Sequence, residues 1–286
     1  MVERQSARLA QAGVSFGHGT DNAFDEAVWL TLWRLGLPLD DLNGVAERVL
    51  TTDEIAAIDA LVQERIATRQ PAAYLTHEAW LQGVAFYVDE RAIVPRSLIA
   101  EPLVDGTLAA WLPDPTQRVL DLCTGNSSLA VLAALAWPDV QVDAADLSVD
   151  ALAVACINID KHGLAERITL LQGDGLAALH GRERYDVILC NPPYVNTVAM
   201  AALPAEYRAE PALALAGGAD GMDFVRTLLQ GAPEQLTDDG VLVLEIGHER
   251  EHFEAAFPKL EVVWLPTSAG DDQVLLVTRS AMLAAR

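Results

Sequence analysis

The chain has 286 residues, enough for about two domains, and 51% of them are hydrophobic, which excludes disorder and allows a real core. Lys and Arg total 19 against 41 Asp and Glu, a formal charge of −22. That balance argues against a protein that coats nucleic acid through its phosphates and suits a basic partner instead. No apolar run approaches the roughly 18 residues of a membrane helix. Met1 to Gly17 lacks the apolar stretch of a signal peptide. The three cysteines, Cys123, Cys156 and Cys190, are too widely spaced for a zinc pattern or a disulfide framework, so a cytoplasmic protein is expected.

Residues 1–82 read as helical. Asp21 is placed to cap a helix through Phe24, Ala27, Val28, Leu30, Thr31 and Leu35, which Gly36 and Pro38 end. Thr51 and Glu54 have capping-box spacing and open a second helix through Ile58, Leu61, Val62 and Ile66. Nothing here looks catalytic, and a partner-recognition role is expected. Residues 83–96 read as a connecting β-hairpin: Val84, Phe86 and Val88 alternate, Asp89 and Glu90 turn, and Ala92 to Val94 return. Residues 97–286 then alternate strands and helices. Strands are expected at Val119–Cys123, Val140–Ala145, Ile168–Gln172, Tyr185–Cys190, Val241–Ile246, Val262–Leu265 and Val274–Val277. Ser127 or Ser128 begins a helix after the first, and Ser148 caps one after the second that runs to His162 and stops at Gly163. The expected fold is α/β, with a mostly parallel, doubly wound, Rossmann-like sheet that binds ligands at its strands' carboxyl ends.

Those ends carry the chemistry. After the first strand, Asp121-Leu122-Cys123-Thr124-Gly125-Asn126-Ser127 forms a tight turn into a helix, which presents main-chain N–H groups to a ligand. Asp146, about twenty residues on, is placed to accept hydrogen bonds from both ribose hydroxyls, and Asp174 to meet an adenine amino group. Together they point to an adenosine-type ligand. The fourth strand runs into Asn191-Pro192-Pro193-Tyr194. Two prolines remove N–H donors and stiffen the backbone. The Asn191 side chain and the Pro192 carbonyl are left as fixed acceptors for a planar –NH2 group, on which Tyr194 can stack.

Val119 to Gly125, Asp146 and Asn191 to Tyr194 together resemble the class I S-adenosylmethionine-dependent methyltransferases that modify amino groups. With the helical N-terminal segment and the hairpin, the chain is similar over nearly its whole length to the protein N5-glutamine methyltransferases. These act on peptide-chain release factors or on the third protein of the large ribosomal subunit. Leu75-Thr76-His77-Glu78-Ala79-Trp80, Val94-Pro95-Arg96-Ser97 and Asp121 to Gly125 favour the ribosomal-protein branch, while Glu206 to Pro211 and Gly217 to Gly221 resemble both. The resemblance implies a basic ribosomal protein as substrate, no membrane, and no direct nucleic-acid binding. It implies cofactor contacts at Asp121, Cys123, Thr124, Gly125, Asp146, Leu147, Asp174 and Asn191. Substrate contacts fall at Asn191, Pro192, Pro193 and Tyr194, with Asn191, Pro192 and Tyr194 catalytic and no metal. Release factors stay open as the alternative substrate. Two further readings stay open: adenine-N6 DNA methylation, which uses a similar motif but conflicts with the charge, and a binding scaffold whose cofactor affinity Ser127 has impaired.

Two departures from the family pattern stand out. Leu98 occupies a position that is usually proline, and Ser127 stands where the loop normally ends in glycine, so a strained loop and weaker cofactor binding are expected. His248-Glu249-Arg250-Glu251-His252 also satisfies the HExxH zinc-protease pattern, but it follows directly on a strand and Pro258 closes it, so a charged turn and helix start is expected.

Overall fold

Two short strands, β1 (Ala79–Leu81) and β2 (Val84–Phe86), pair as an antiparallel hairpin. The computed structural model describes all residues from Met1 to Arg286 and places the other seven strands in one sheet. These are β3 (Arg118–Leu122), β4 (Gln141–Asp146), β5 (Ile168–Gln172), β6 (Tyr185–Cys190), β7 (Leu236–Glu245), β8 (Val263–Thr267) and β9 (Gly270–Thr278). Their order is β5-β4-β3-β6-β7-β9-β8. The first five pair in parallel and β9 is antiparallel to both its neighbours, so one strand runs against the rest of the mostly parallel sheet. β3, β4 and β5 step outward on one side and β6 and β7 on the other, where β9 then inserts between β7 and the edge strand β8. The order therefore reverses between β3 and β6, where such sheets bind ligands.

Residue alternation explains how both faces are covered. Val187 and Leu189 of β6 join a core with Leu129 to Ala134 and Ile159, from the helices Ser128–Ala136 and Val149–Lys161. Ile188 and Cys190 face the other way, against Val225, Leu228, Phe253 and Met282. A third core, built on Leu9, Leu30, Leu61, Val62 and Tyr74, belongs to the N-terminal helices and extends to Val88 and Val94. The longest N-terminal helix, Thr52–Thr68, opens with the expected reciprocal bonds between Thr51 and Glu54.

Several expectations need correction. The hairpin lies at Ala79–Phe86 rather than 83–96, because Gln82 and Gly83 both adopt positive φ (49° and 74°) and make the tight turn. Residues 87–97 form an irregular strap instead of a return strand, and the Asp89 carboxylate organises its bend by accepting from Tyr87 Oη and from the Arg91 main chain and guanidinium. Asn22, not Asp21, caps the helix Ala23–Arg34, since its side chain reaches the Phe24 and Asp25 amides at 3.0 Å. β7 begins at Leu236, five residues before Val241, and carries a register shift between its pairs Leu236–Tyr185 and Val241–Val187. A further helix, Val2–Gln11, precedes the two expected ones.

Candidate active site

The loop after β3 alternates into the left-handed region at Cys123 (φ 61°), Gly125 (φ 55°) and Ser127 (φ 69°). Only one of the three is glycine, so the loop is held by its surroundings. Asp121 Oδ2 accepts from Thr124 Oγ1 at 2.5 Å and from the Ala130 amide at 3.0 Å. The Thr124 amide donates to the Ala145 carbonyl, and the Gly125 amide to Asp146 Oδ2 at 2.8 Å. The other Asp146 oxygen accepts from the Ser148 amide at 2.8 Å, which fixes the start of the helix Val149–Lys161. Burial pushes the Asp121 carboxyl up to about 7. Burial also raises Asp146, against the amides that favour its charge.

A cleft opens over the ends of β3, β4, β5 and β6. Cys123, Gly125, Asp146, Leu147, Asp174, Asn191 and Pro193 line it. Asp121 and Thr124 lie beneath the loop and line a smaller cavity beside the cleft. Asn191 and Cys123 border both spaces. Pro192 is buried and Tyr194 half-buried, and neither lines the cleft. Ser127 is fully buried and lines neither space, so its side chain takes no room from a ligand. The expected cost of Ser127 is thus confined to the backbone, whose left-handed conformation the structure shows.

Sequence reasoning missed two walls. Arg91, Ala92 and Ile93 of the strap form one, and Pro211, Leu213, Ala214 and Phe224 another. The signals were present: the Glu206 to Pro211 motif leads into the second wall, and the Gly217 to Gly221 motif precedes Phe224.

The setting of Tyr194 accounts for Gly217 and Gly221 of that motif, and for Gly247. A Cβ on Gly247 would sit 2.5 Å from its ring, and Cβ atoms on Gly217 and Gly221 would strike its backbone at 2.7 and 2.2 Å. Its hydroxyl donates to Glu245 Oε1 at 3.1 Å, and the other Glu245 oxygen accepts from Ser97 Oγ (2.6 Å) and the Leu98 amide (2.9 Å). Burial raises the carboxyl of Glu245, and burial beside that carboxylate raises the phenol of Tyr194.

A buried charge cluster holds the second wall to the N-terminal helices. Arg65 donates to Glu26 and Glu206, and Arg69 reaches Glu206 at 2.7 Å. Glu210 takes both Arg96 nitrogens at 2.7 Å and the Val94 amide at 2.9 Å, with His18 Nε2 at 3.3 Å. Burial opposes ionisation of Glu210, but Arg96 and His18 outweigh it and hold the carboxyl down at about 2.

The HExxH residues build no metal site. His248 lies in the turn before the helix Arg250–Ala256, while Glu249 accepts from Asn196 Nδ2 and pairs with His252 Nδ1. No three His, Cys, Asp or Glu side chains gather to hold an ion.

The sheet order and the cleft at its reversal define a class I methyltransferase. A family model described as "Methyltransferase small domain" matches residues 105–206. At the level of fold, the chain resembles a methyltransferase from Pyrococcus furiosus (TM-score 0.50, 17% identity, 77% of this chain and 97% of that one). It also resembles the hMettl16 catalytic domain solved with a MAT2A 3′UTR hairpin (TM-score 0.53, 12% identity, 80% of this chain and 81% of that one). Sequence relatives are far nearer. The ribosomal protein uL3 glutamine methyltransferase of Bordetella pertussis is 58% identical over 99% of this chain and 95% of its own length. Its Neisseria gonorrhoeae counterpart is 50% identical over 97% and 92%. The chain belongs to the ribosomal protein uL3 glutamine methyltransferase family.

Proposed function

We propose that the protein transfers a methyl group from S-adenosylmethionine to the side-chain amide nitrogen of a glutamine in ribosomal protein uL3. The observation that carries this reading is the position of Asn191, whose residue borders both the cleft and the cavity beside it at the end of β6. A ligand in the cleft and an amide offered to Asn191 would meet there.

The cleft fits the cofactor. Gly125 lets the backbone pass close to the ligand, and a Cβ there would already touch Ile93 Cγ2 at 3.4 Å. Asp146 would accept from the ribose hydroxyls, Leu147 and Phe224 would offer apolar faces to the adenine, and Asp174 would meet its amino group. When bound, S-adenosylmethionine supplies a methyl group already activated by its sulfonium.

The chain's task is then alignment. Asn191 Oδ1 and the Pro192 carbonyl would accept the two N–H bonds of the glutamine amide and aim its nitrogen at the methyl. A glutamine amide is a weak nucleophile because its lone pair is delocalised. As that pair forms the new bond, positive charge builds on nitrogen and both hydrogen bonds strengthen, which lowers the barrier selectively. The methyl–sulfur bond breaks as the new bond forms, its electron pair staying on sulfur, and the nitrogen afterwards gives one of its two protons to solvent. Tyr194, its hydroxyl on Glu245, would present its ring to the flat amide.

We assign substrate recognition to the helical residues 1–82, with 83–96 as the link to the methyltransferase domain at 97–286. The net charge of −22 suits a basic ribosomal protein before it is buried in the subunit. The test offers labelled S-adenosylmethionine with uL3 and, separately, a peptide-chain release factor. Label in uL3 supports the proposal, whereas label only in the release factor, or in neither, contradicts it.

A further inference from the structure

Asn158 is fully buried on the helix Val149–Lys161 and lines neither the cleft nor the cavity beside it. Its Oδ1 accepts from the Tyr87 amide at 2.7 Å, and its Nδ2 donates to the Tyr87 carbonyl at 3.0 Å and to the Asn126 carbonyl at 2.9 Å. The partners fix the orientation of the amide: the Tyr87 N–H requires an acceptor and the two carbonyls require donors. One side chain thus ties the strap to the loop after β3. A second, weaker tie runs beside it, from Asn126 Nδ2 to the Ile93 carbonyl at 3.4 Å. Apolar contact among Tyr87, Ala92, Ala151 and Val154 completes the seam between strap and helix.

The seam lies where the cleft needs rigidity. Beyond Tyr87 the strap supplies Arg91 to Ile93 as one wall, and before Asn126 the loop supplies Cys123 and Gly125 as the floor. Cys123 and Ser127 hold left-handed backbone without being glycine. Such a conformation persists only where its surroundings over-determine it. Asp121 and Asp146 hold the loop at Thr124 and Gly125, and Asn158 holds it at Asn126.

We infer that Asn158 is a positioning residue for S-adenosylmethionine, setting the distance between the strap wall and the loop floor without touching the ligand; this rests on the proposed use of that cofactor. Replacing it frees both segments. The cofactor must then order them on binding, so affinity falls while the chemistry at Asn191 stays intact. By linkage, bound cofactor must strengthen the same tie.

The test is calorimetric titration of S-adenosylmethionine into wild type, Asn158→Ala and Asn158→Leu, with steady-state kinetics on uL3. A Leu164→Ala variant serves as a control for general destabilisation: Leu164 is buried just beyond the same helix and takes no part in the hydrogen bonds that join Asn158 to Tyr87 and Asn126. We expect the Kd and the KM for S-adenosylmethionine to rise about tenfold or more in both Asn158 variants, with kcat at saturation within about threefold. Leu164→Ala loses thermal stability but keeps the wild-type Kd. In wild type, hydrogen exchange across residues 86–93 slows when the cofactor is added, a reading that needs no variant. Wild-type affinity in the Asn158 variants, equal loss in Leu164→Ala, or exchange unchanged by cofactor overturns the inference alone. Failure of wild type to bind S-adenosylmethionine overturns it together with the proposed function.

Discussion

Asn191 stands at the junction of two spaces, and beside any contact with the cofactor its proposed chemical role is to orient an amide. Asn191→Ala is expected to lower kcat by about 10²–10³, the usual effect of removing one transition-state hydrogen bond, with S-adenosylmethionine affinity within a few-fold of wild type. Equal loss of cofactor binding, measured by calorimetry, would reassign it. Ser127 makes the opposite kind of claim. Its side chain is buried away from the cleft, so Ser127→Gly is expected to leave the Kd for S-adenosylmethionine within about threefold of wild type. A large gain in affinity would show that the serine obstructs the site. Asp121 gives a pH dependence. Its ordinary value is 3.8 and burial raises it to about 7. Between those values the unfolded chain has lost the proton that the folded chain keeps, so this group's contribution to stability falls as pH rises through that window and levels off above it. Asp121→Asn keeps an acceptor for Thr124 and Ala130 but cannot titrate. Urea unfolding at pH 5 and pH 8 is expected to show a smaller loss in the variant; an identical loss would contradict a raised Asp121.

Among the elements, those whose ends are set by local chemistry were legible in the sequence. The Thr51–Glu54 capping box stands as expected, and so do β5 and β6 to the residue, because their apolar residues meet clear stops at both ends. The cleft floor was legible for a related reason: Asp146 ends β4, Asn191 directly follows β6, and Gly125 lies in the turn just past β3. The hairpin was not. Val84, Phe86 and Val88 alternate as a strand should, but the partner of β2 is Ala79–Leu81, which reads locally as helix end. The cleft walls were hidden for a different reason. Arg91 to Ile93 and Pro211 to Phe224 reach the site only through tertiary contacts, the Asn158 tie and the Glu210 ion pairs, and neither has a local periodicity. Tyr194 shows how a turn motif serves a distant one. Gly247, at the exit of β7, makes room for its ring, so Gly247→Ala is expected to displace the ring and cut kcat at least tenfold. Unchanged kinetics would show that Tyr194 moves without consequence.

At the scale of the whole molecule, the N-terminal helices and the second cleft wall share a dry charge cluster, with Arg65 and Glu206 almost wholly buried. Removing one member leaves an unpaired buried charge, which typically costs about 3–5 kcal/mol. Arg65→Met is therefore expected to lower the urea midpoint strongly, and the surviving folded protein to bind uL3 poorly. A variant as stable as wild type would mean that the cluster contributes little to the union. The acidic surface adds a long-range attraction to a basic substrate, so the KM for uL3 is expected to rise with salt while kcat holds. The central claim is that this surface and this cleft bring a uL3 glutamine to Asn191. The most direct measurement is peptide mass spectrometry of unmodified uL3 after incubation with S-adenosylmethionine and either wild type or Asn191→Ala. The account predicts a single added methyl group on one glutamine side-chain amide with wild type and almost none with the variant. A methyl group on another residue type, or equal modification by both proteins, would contradict it.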